Sequence, residues 1–323
     1  MHGWLVIDKA VGPGSTNIVT AVKRALREGG YPKVKVGHGG TLDPLASGVL
    51  PVALGEATKL AGRMLDAEKA YDFTIRFGEE TDTLDGEGAV IAQSNVRPSM
   101  AQIEAVLCAF EGEQEQTPPA YSAIKIGGKR AYDLARAGAE VEMTTRSVFI
   151  HSLSVRAEPV EASSLYSVDD GEERASTSAA RTGSSAGEHL LEITLSARVS
   201  KGTYIRSLAQ DIAHALGTMG HVTMLRRTKA GPFTLDPAIS LDKMRDFAMA
   251  RTLEQALLPL TAGLDDIPAL PVTPDQARAL REGRRLAGIA AQQGLHLATD
   301  QSVPVALVEL SEGQLRVVRG FNL

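Results

Sequence analysis

Two stretches of this chain alternate strictly, and they limit its fold more than any other feature. Tyr71, Phe73, Ile75 and Phe77 interleave with Asp72, Thr74 and Arg76. Leu191, Ile193, Leu195, Ala197 and Val199 do the same before Ser200. A period of two sends apolar groups to one face and polar groups to the other, so each stretch reads as a half-exposed antiparallel strand. Helical segments fall between the strands without a βαβ rhythm. A helix follows Ser15 with Ile18, Val19, Val22 and Leu26 on one face and stops at Gly29-Gly30. Others are expected over Glu56–Leu65, Ser99–Phe110 and Thr203–Leu216. Ser15 and Ser99 are read as N-caps. Val49–Leu54 reads as a strand that Pro51 confines to an edge or a bend. Val148–Val155 reads as a further strand, and Tyr121–Arg130 as a hairpin turning at Gly127-Gly128. The expected class is α+β with a largely antiparallel sheet.

At 323 residues the chain is long for one domain. Two domains are expected: a large one over residues 1–266 and a small β-rich one over 267–323, joined near Asp265-Asp266-Ile267-Pro268. The smaller part offers a helix at Pro274–Glu282 and strands at Leu286–Ile289, Val303–Glu309 and Leu315–Arg319. Residues 156–188 hold seven serines, two threonines and few bulky apolar groups. Burial there cannot offset the ordering entropy, so a disordered insertion is expected.

The single cysteine, Cys108, excludes an internal disulfide and any cysteine-based metal cluster. The histidines show no metal-ligand spacing, and no phosphate loop is present. No apolar run approaches the roughly 18 residues of a membrane helix, and Trp4–Ile7 is too short for a signal peptide. A cytoplasmic protein is expected. The net charge of −5 argues at first against nucleic acid. Six of the acids, however, crowd into residues 157–173 without a base among them. The remainder is near neutral and carries basic clusters at Lys125, Lys129, Arg130 and Arg136, at Arg198, Lys201 and Arg206, and at Arg226, Arg227 and Lys229. These permit phosphate contacts, although solvated surface charge is the plainer reading.

The densest local feature is Gly37-His38-Gly39-Gly40-Thr41-Leu42-Asp43-Pro44-Leu45-Ala46-Ser47-Gly48. An Asp-Pro pair ordinarily shapes a turn, but here it lies among four glycines, a histidine and a threonine. Ser200-Lys201-Gly202-Thr203-Tyr204-Ile205-Arg206 is a basic turn running into a helix. Lys69-Ala70-Tyr71 and Leu225-Arg226-Arg227-Thr228 read by default as a core-facing aromatic and a strand end with solvated arginines.

Taken together, and with Gly55-Glu56-Ala57-Thr58-Lys59 and Thr81-Asp82-Thr83-Leu84-Asp85-Gly86, these segments closely resemble the bacterial tRNA pseudouridine-55 synthases of the TruB family. The resemblance runs from about Gly3 to about Pro237, apart from the insertion. More weakly, Leu270–Phe321 is similar to the small RNA-binding PUA domain. Gly39 stands where Ala or Thr is usual, and Val199 where Cys is frequent.

The resemblance implies a pseudouridine synthase-like catalytic domain and a PUA-like C-terminal domain. The implied reaction isomerises a uridine of the tRNA T-loop, position 55, on a flipped-out base. No metal or other cofactor is implied, and neither is a protein partner; a monomer acting on the T-arm is expected. Asp43 is the implied catalytic carboxylate; covalent attack and assistance to glycal formation both stay open. Arg206 is its implied bidentate partner. Tyr71 is implied to stack on the uracil, with removal of the C5 proton a second role left open. Tyr204 and Leu225 would line the pocket, His38 would touch RNA beside the extruded nucleotide, and Lys125, Lys129 and Arg130 would grip T-arm phosphates. Two rivals stand beside this reading: a non-catalytic RNA-binding module, and a guide-RNA-dependent synthase of the archaeal and eukaryotic type.

Overall fold

The computed structural model describes residues 1–139, 141–156 and 189–323. The expected insertion, Arg156 apart, lies outside the described residues. The chain divides into two compact units: residues 1–70 with 226–323, and residues 71–225. The strand Gly220–Ala230 runs through both. The class is α+β, as the alternating strands require, with a large mixed sheet and a separate β-rich C-terminal sheet.

In the first unit Gly3–Lys9 pairs antiparallel with Ser47–Leu54, from Gly3 opposite Leu54 to Lys9 opposite Gly48. Ser47 and Gly48 also pair, in parallel, with Arg226 and Arg227. At the other end Val52–Leu54 takes the short strand Val36–His38. Pro51 therefore does not put this strand at the sheet edge. It falls between the two ladders on that side, where its missing N–H removes no bond. Gly48, at φ +99°, lies against the neighbouring strand: a Cβ there would sit 2.1 Å from the Arg227 carbonyl oxygen.

The first helix, Ser15–Glu28, buries Ile18, Val19, Val22 and Leu26, the face its periodicity marks. Its N-cap is Gly14, not Ser15. The segment expected as one helix from Glu56 is a 3-10 turn, Gly55–Leu60, followed by a short α-helix, Ala61–Asp66. Chain 269–320 forms a five-stranded sheet with the helix Pro274–Arg281, whose cap is a reciprocal Thr273/Gln276 box. Two of its strands, Ala269–Pro271 and Gly294–Asp300, carry no clear alternation and escaped the sequence reading. Leu297, Leu307 and Phe321 join Trp4, Val6, Ala57, Leu60 and Phe233 in one core. Trp4 is fully buried and donates its indole N–H to the Leu260 carbonyl at 3.1 Å. Each large apolar side chain so buried contributes about 1.5–3 kcal/mol.

In the second unit the strands run in the order 220–225, Lys69–Phe77, Glu192–Val199, Arg146–Val155, Gly112–Gln116. Phe73, Ile75 and Phe77 are buried, as the alternation requires. Thr74, on the polar side, is buried too, and its hydroxyl shares a 2.9 Å hydrogen bond with that of Thr194. The helix Met100–Leu107 is capped by Ser99 through a box with Gln102. Ile205–Ala215 follows Tyr204 and ends before Gly217, at φ +72°.

Candidate active site

Asp43 lies in the loop between two strands of the first unit, and side chains from three other elements hold that loop by its backbone. Arg227 is 1% exposed. Its Nε donates to the Val49 carbonyl at 2.8 Å, one Nη to Thr41 at 3.1 Å and the other to Gly40 at 3.3 Å. Lys9 is fully buried and donates to the carbonyls of Ala46 at 2.5 Å, Ala10 at 2.9 Å and Pro44 at 3.3 Å. Ser15 accepts the Leu42 N–H at 2.7 Å and donates to the Leu42 carbonyl at 3.0 Å. Its hydroxyl thus serves the loop and not the helix it opens. The Asp43 carbonyl accepts the Ala46 N–H at 3.1 Å. The residues on both sides of Asp43 are thus held, while Asp43 itself is half-buried.

Arg227 corrects the expectation of solvated arginines at this strand end. Arg226 is ion-paired to Asp8 at 2.8 Å, and Arg227 is among the largest fully buried side chains in the chain. The missed signal lay in the alternation: Arg227 shares its strand face with Leu225, and Lys9 shares its own with Leu5 and Ile7.

His38, half-buried in the same unit, has a buried Nδ1 without a hydrogen-bond partner. Burial, and then the positive charge of Arg227, push its pKa below the ordinary imidazole value; a backbone bond with Gly40 opposes them. The ring is neutral at pH 7. Gly39 has no room for the Ala or Thr usual in the family, since a Cβ there would come within 2.7 Å of the Met64 Cβ.

The second unit carries Arg206, Tyr71, Tyr204, Leu225 and the basic hairpin. Arg206 stands in the first turn of its helix and is 5% exposed. One Nη donates to the Thr83 carbonyl at 2.8 Å and to the Asp85 carboxylate at 3.1 Å; the other donates to the Tyr121 carbonyl at 2.9 Å. Asp85, 3% exposed, is itself fixed by the Thr83 hydroxyl at 2.5 Å and the Glu87 N–H at 3.1 Å. Between them Leu84 adopts φ +61°, a left-handed conformation costly for a leucine, and it turns both neighbours toward the guanidinium. The motif Thr81-Asp82-Thr83-Leu84-Asp85-Gly86 does not by itself mark Asp85 as the partner of Arg206.

Tyr204 exchanges both backbone groups with the Gln116 side chain, at 2.7 and 3.0 Å. Its ring lies 4.9 Å below the Arg146 guanidinium. Tyr71 is half-exposed at the start of a strand whose next three alternating residues are buried, so its ring is more available than the core-facing default implies. Leu225 is buried. Lys125, Lys129 and Arg130 are exposed on the expected hairpin, with Gly127 and Gly128 at positive φ. Arg130 and Arg136 flank the Tyr132 ring at 5.8 and 5.6 Å. Among the described residues no cluster of three or more His, Cys, Asp or Glu could hold a metal ion, and no helix is long and apolar enough to cross a membrane.

Residues 25–171 match the TruB family pseudouridylate synthase N-terminal domain, and residues 206–265 match the tRNA pseudouridylate synthase B C-terminal domain. The tRNA pseudouridine synthase B of Novosphingobium aromaticivorans is 56% identical over 323 residues, covering 100% of this chain and 98% of that protein. That of Zymomonas mobilis is 54% identical, covering 100% and 96%. Among solved structures, a Cbf5-Nop10-Gar1 complex contains a chain with TM-score 0.69 and 25% identity, over 99% of this chain and 84% of that one. An H/ACA RNP bound to a substrate RNA containing 2′-deoxyuridine gives TM-score 0.68 at 24% identity, over 99% and 85%, a likeness of fold alone. By profile and by full-length identity, the chain belongs to the TruB family of pseudouridylate synthases.

Proposed function

We propose that the chain isomerises a uridine of tRNA to pseudouridine at position 55 in the T-loop, with Asp43 as the catalytic carboxylate. The N1–C1′ bond breaks, the uracil rotates, and a C5–C1′ bond forms. A proton leaves C5 and N1 ends protonated, so composition is unchanged and no oxidant or reductant is needed. The observation that carries the reading is the held loop around Asp43. A carboxylate that must meet one sugar or base carbon gains from a backbone that cannot drift, since a misplacement near 1 Å costs roughly a hundredfold.

The other roles follow from chemistry and placement. Arg206 presents a planar fork suited to a carboxylate, and its remaining N–H groups are already oriented by Thr83, Asp85 and Tyr121. Tyr71 offers a half-exposed ring on which an extruded uracil stacks, worth about 1–3 kcal/mol. Tyr204 and Leu225 frame that ring's surroundings. Neutral His38 contacts the RNA beside the extruded nucleotide. Lys125, Lys129 and Arg130 supply phosphate contacts to the T-arm, and residues 267–323 act as a second, PUA-like RNA grip. The enzyme works in the cytoplasm as a monomer, with tRNA as its macromolecular partner.

The test is an unmodified tRNA transcript with the parent protein and Asp43→Asn, followed by mapping of pseudouridine. The parent converts position 55. The variant folds and binds tRNA but forms no product at a useful rate. An active Asn variant would reduce Asp43 to a turn-former and defeat the mechanism.

A further inference from the structure

A cavity of about 850 Å³ opens in the first unit, away from the groups given roles above. It lies between the C-terminal half of the helix Ser15–Glu28, the segment 31–37 and Thr58. Four cations line it, Lys23, Arg27, Lys33 and Lys35, and no carboxylate does. None of the four makes an ion pair among the described residues, in a chain whose net charge is −5. Cations of a shared cavity repel each other unless an anion joins them.

The walls are not those of a simple phosphate patch. Leu26, Val34 and the Tyr31 ring supply an apolar lining. Tyr31 is fixed, since its hydroxyl accepts the Leu253 N–H at 3.1 Å and donates to Glu254 at 3.4 Å. A rigid aromatic beside apolar side chains, ringed by four cations, suits a planar body carrying phosphates. Its volume is that of a small-ligand pocket, and its four cations stand exposed around it. Gly37, on its wall, runs directly into His38, so the cavity opens on the segment assigned above to RNA contact.

We propose that this cavity is a second nucleotide site, holding an unpaired nucleotide of the substrate tRNA that lies outside the T-arm. The base enters against Tyr31 and Val34, and the flanking phosphates meet the lysines. The proposal rests on the functional reading above and deepens it: the cavity distinguishes a whole tRNA from its isolated T-arm.

The experiment measures Kd for a full-length tRNA transcript and for a T-arm hairpin, with turnover on both recorded alongside. The double variant Lys23→Glu/Lys33→Glu should weaken full-length tRNA about tenfold, leave the hairpin within about twofold, and lower the log–log salt slope by about 1.5, near 0.7–0.9 per lost phosphate contact. Val34→Trp fills the cavity without changing charge. It should weaken full-length tRNA by a similar factor and leave the salt slope unchanged. Equal effects on both RNAs, or none on either, overturn the proposal. A saturable thermal shift by AMP that the double variant abolishes, with the tRNA-to-hairpin ratio unchanged, also overturns it and assigns the cavity to a free nucleotide. A parent that binds both RNAs but converts neither would strike the functional reading, while the binding comparison would still decide the cavity.

Discussion

Replacing Arg227 with methionine tests whether the catalytic loop is held in place by a buried charge. Methionine keeps much of the volume and loses the guanidinium. Three carbonyls, of Val49, Thr41 and Gly40, lose their donor in a site 1% exposed to solvent. A hydrogen bond to a charged group contributes about 1.5–3 kcal/mol, so the gross loss is roughly 5–9 kcal/mol. Against it stands the relief of a buried charge, which costs several kcal/mol to desolvate. The net destabilisation should be about 3–5 kcal/mol, a fall in Tm on the order of 10 °C. Arg227→Lys keeps the charge but cannot reach three acceptors from one nitrogen, so it should fall between. The decisive measurement is turnover on unmodified tRNA at a temperature where melts show both variants folded. If the guanidinium fixes Gly40 and Thr41, and through them Asp43, the folded methionine variant should still lose about a hundredfold in kcat with tRNA affinity kept. A methionine variant that melts and turns over like the parent would refute the reasoning.

Four further outcomes follow from the same geometry. Gly48→Ala meets the Arg227 carbonyl at 2.1 Å and a φ of +99°, so thermal melts should show a large loss of stability or no soluble protein. Asp85→Asn removes the charge facing Arg206 inside a buried pair and should cost about 3–5 kcal/mol, read by denaturant melts, with turnover slowed in the folded fraction. Tyr71→Phe keeps the stacking ring and loses the hydroxyl, whereas Tyr71→Leu loses both. Leu should weaken tRNA binding, and slow turnover by Phe with binding kept would assign the hydroxyl a part in proton transfer. His38 has a folded pKa below its unfolded value, so the unfolded chain binds the extra proton first and stability falls as pH drops through the ordinary imidazole range. His38→Gln should flatten Tm between pH 7.5 and 5.5 relative to the parent.

The legible parts of this molecule were those where local chemistry decides structure. Period-two alternation placed the strands at Tyr71–Phe77 and Leu191–Val199, a serine three residues before glutamine capped the helix at Met100, and Gly127-Gly128 turned the basic hairpin. The motif around Asp43 was conspicuous as glycines near an Asp-Pro pair. What escaped depends on partners far along the chain. Ser15 looks like an N-cap from its neighbours; only the strand-to-loop return brings Leu42 to compete for its hydroxyl. Arg227 looks solvated until parallel pairing with Ser47 and Gly48 buries its strand end. Pro51 looks like an edge marker until one strand proves to hold different neighbours above and below it.

Arg227 and Arg206 embody one device used twice. Each is a nearly buried guanidinium in a unit of its own, and each donates to main-chain carbonyls: Val49, Thr41 and Gly40 for one, Thr83 and Tyr121 for the other, which also donates to the Asp85 carboxylate. A carbonyl cannot change protonation, so these contacts hold at any pH in which the chain is folded. A guanidinium does not give up its proton either. Positioning by guanidinium–carbonyl pairs alone, as at Arg227, is indifferent to acid and base, unlike positioning by imidazole or carboxylate. It follows that Arg227→Lys, whose amine can titrate, should depress kcat without moving the midpoints of the pH profile of turnover below about pH 9. A shifted acid limb in Arg227→Lys would mean that the guanidinium does more than hold its loop.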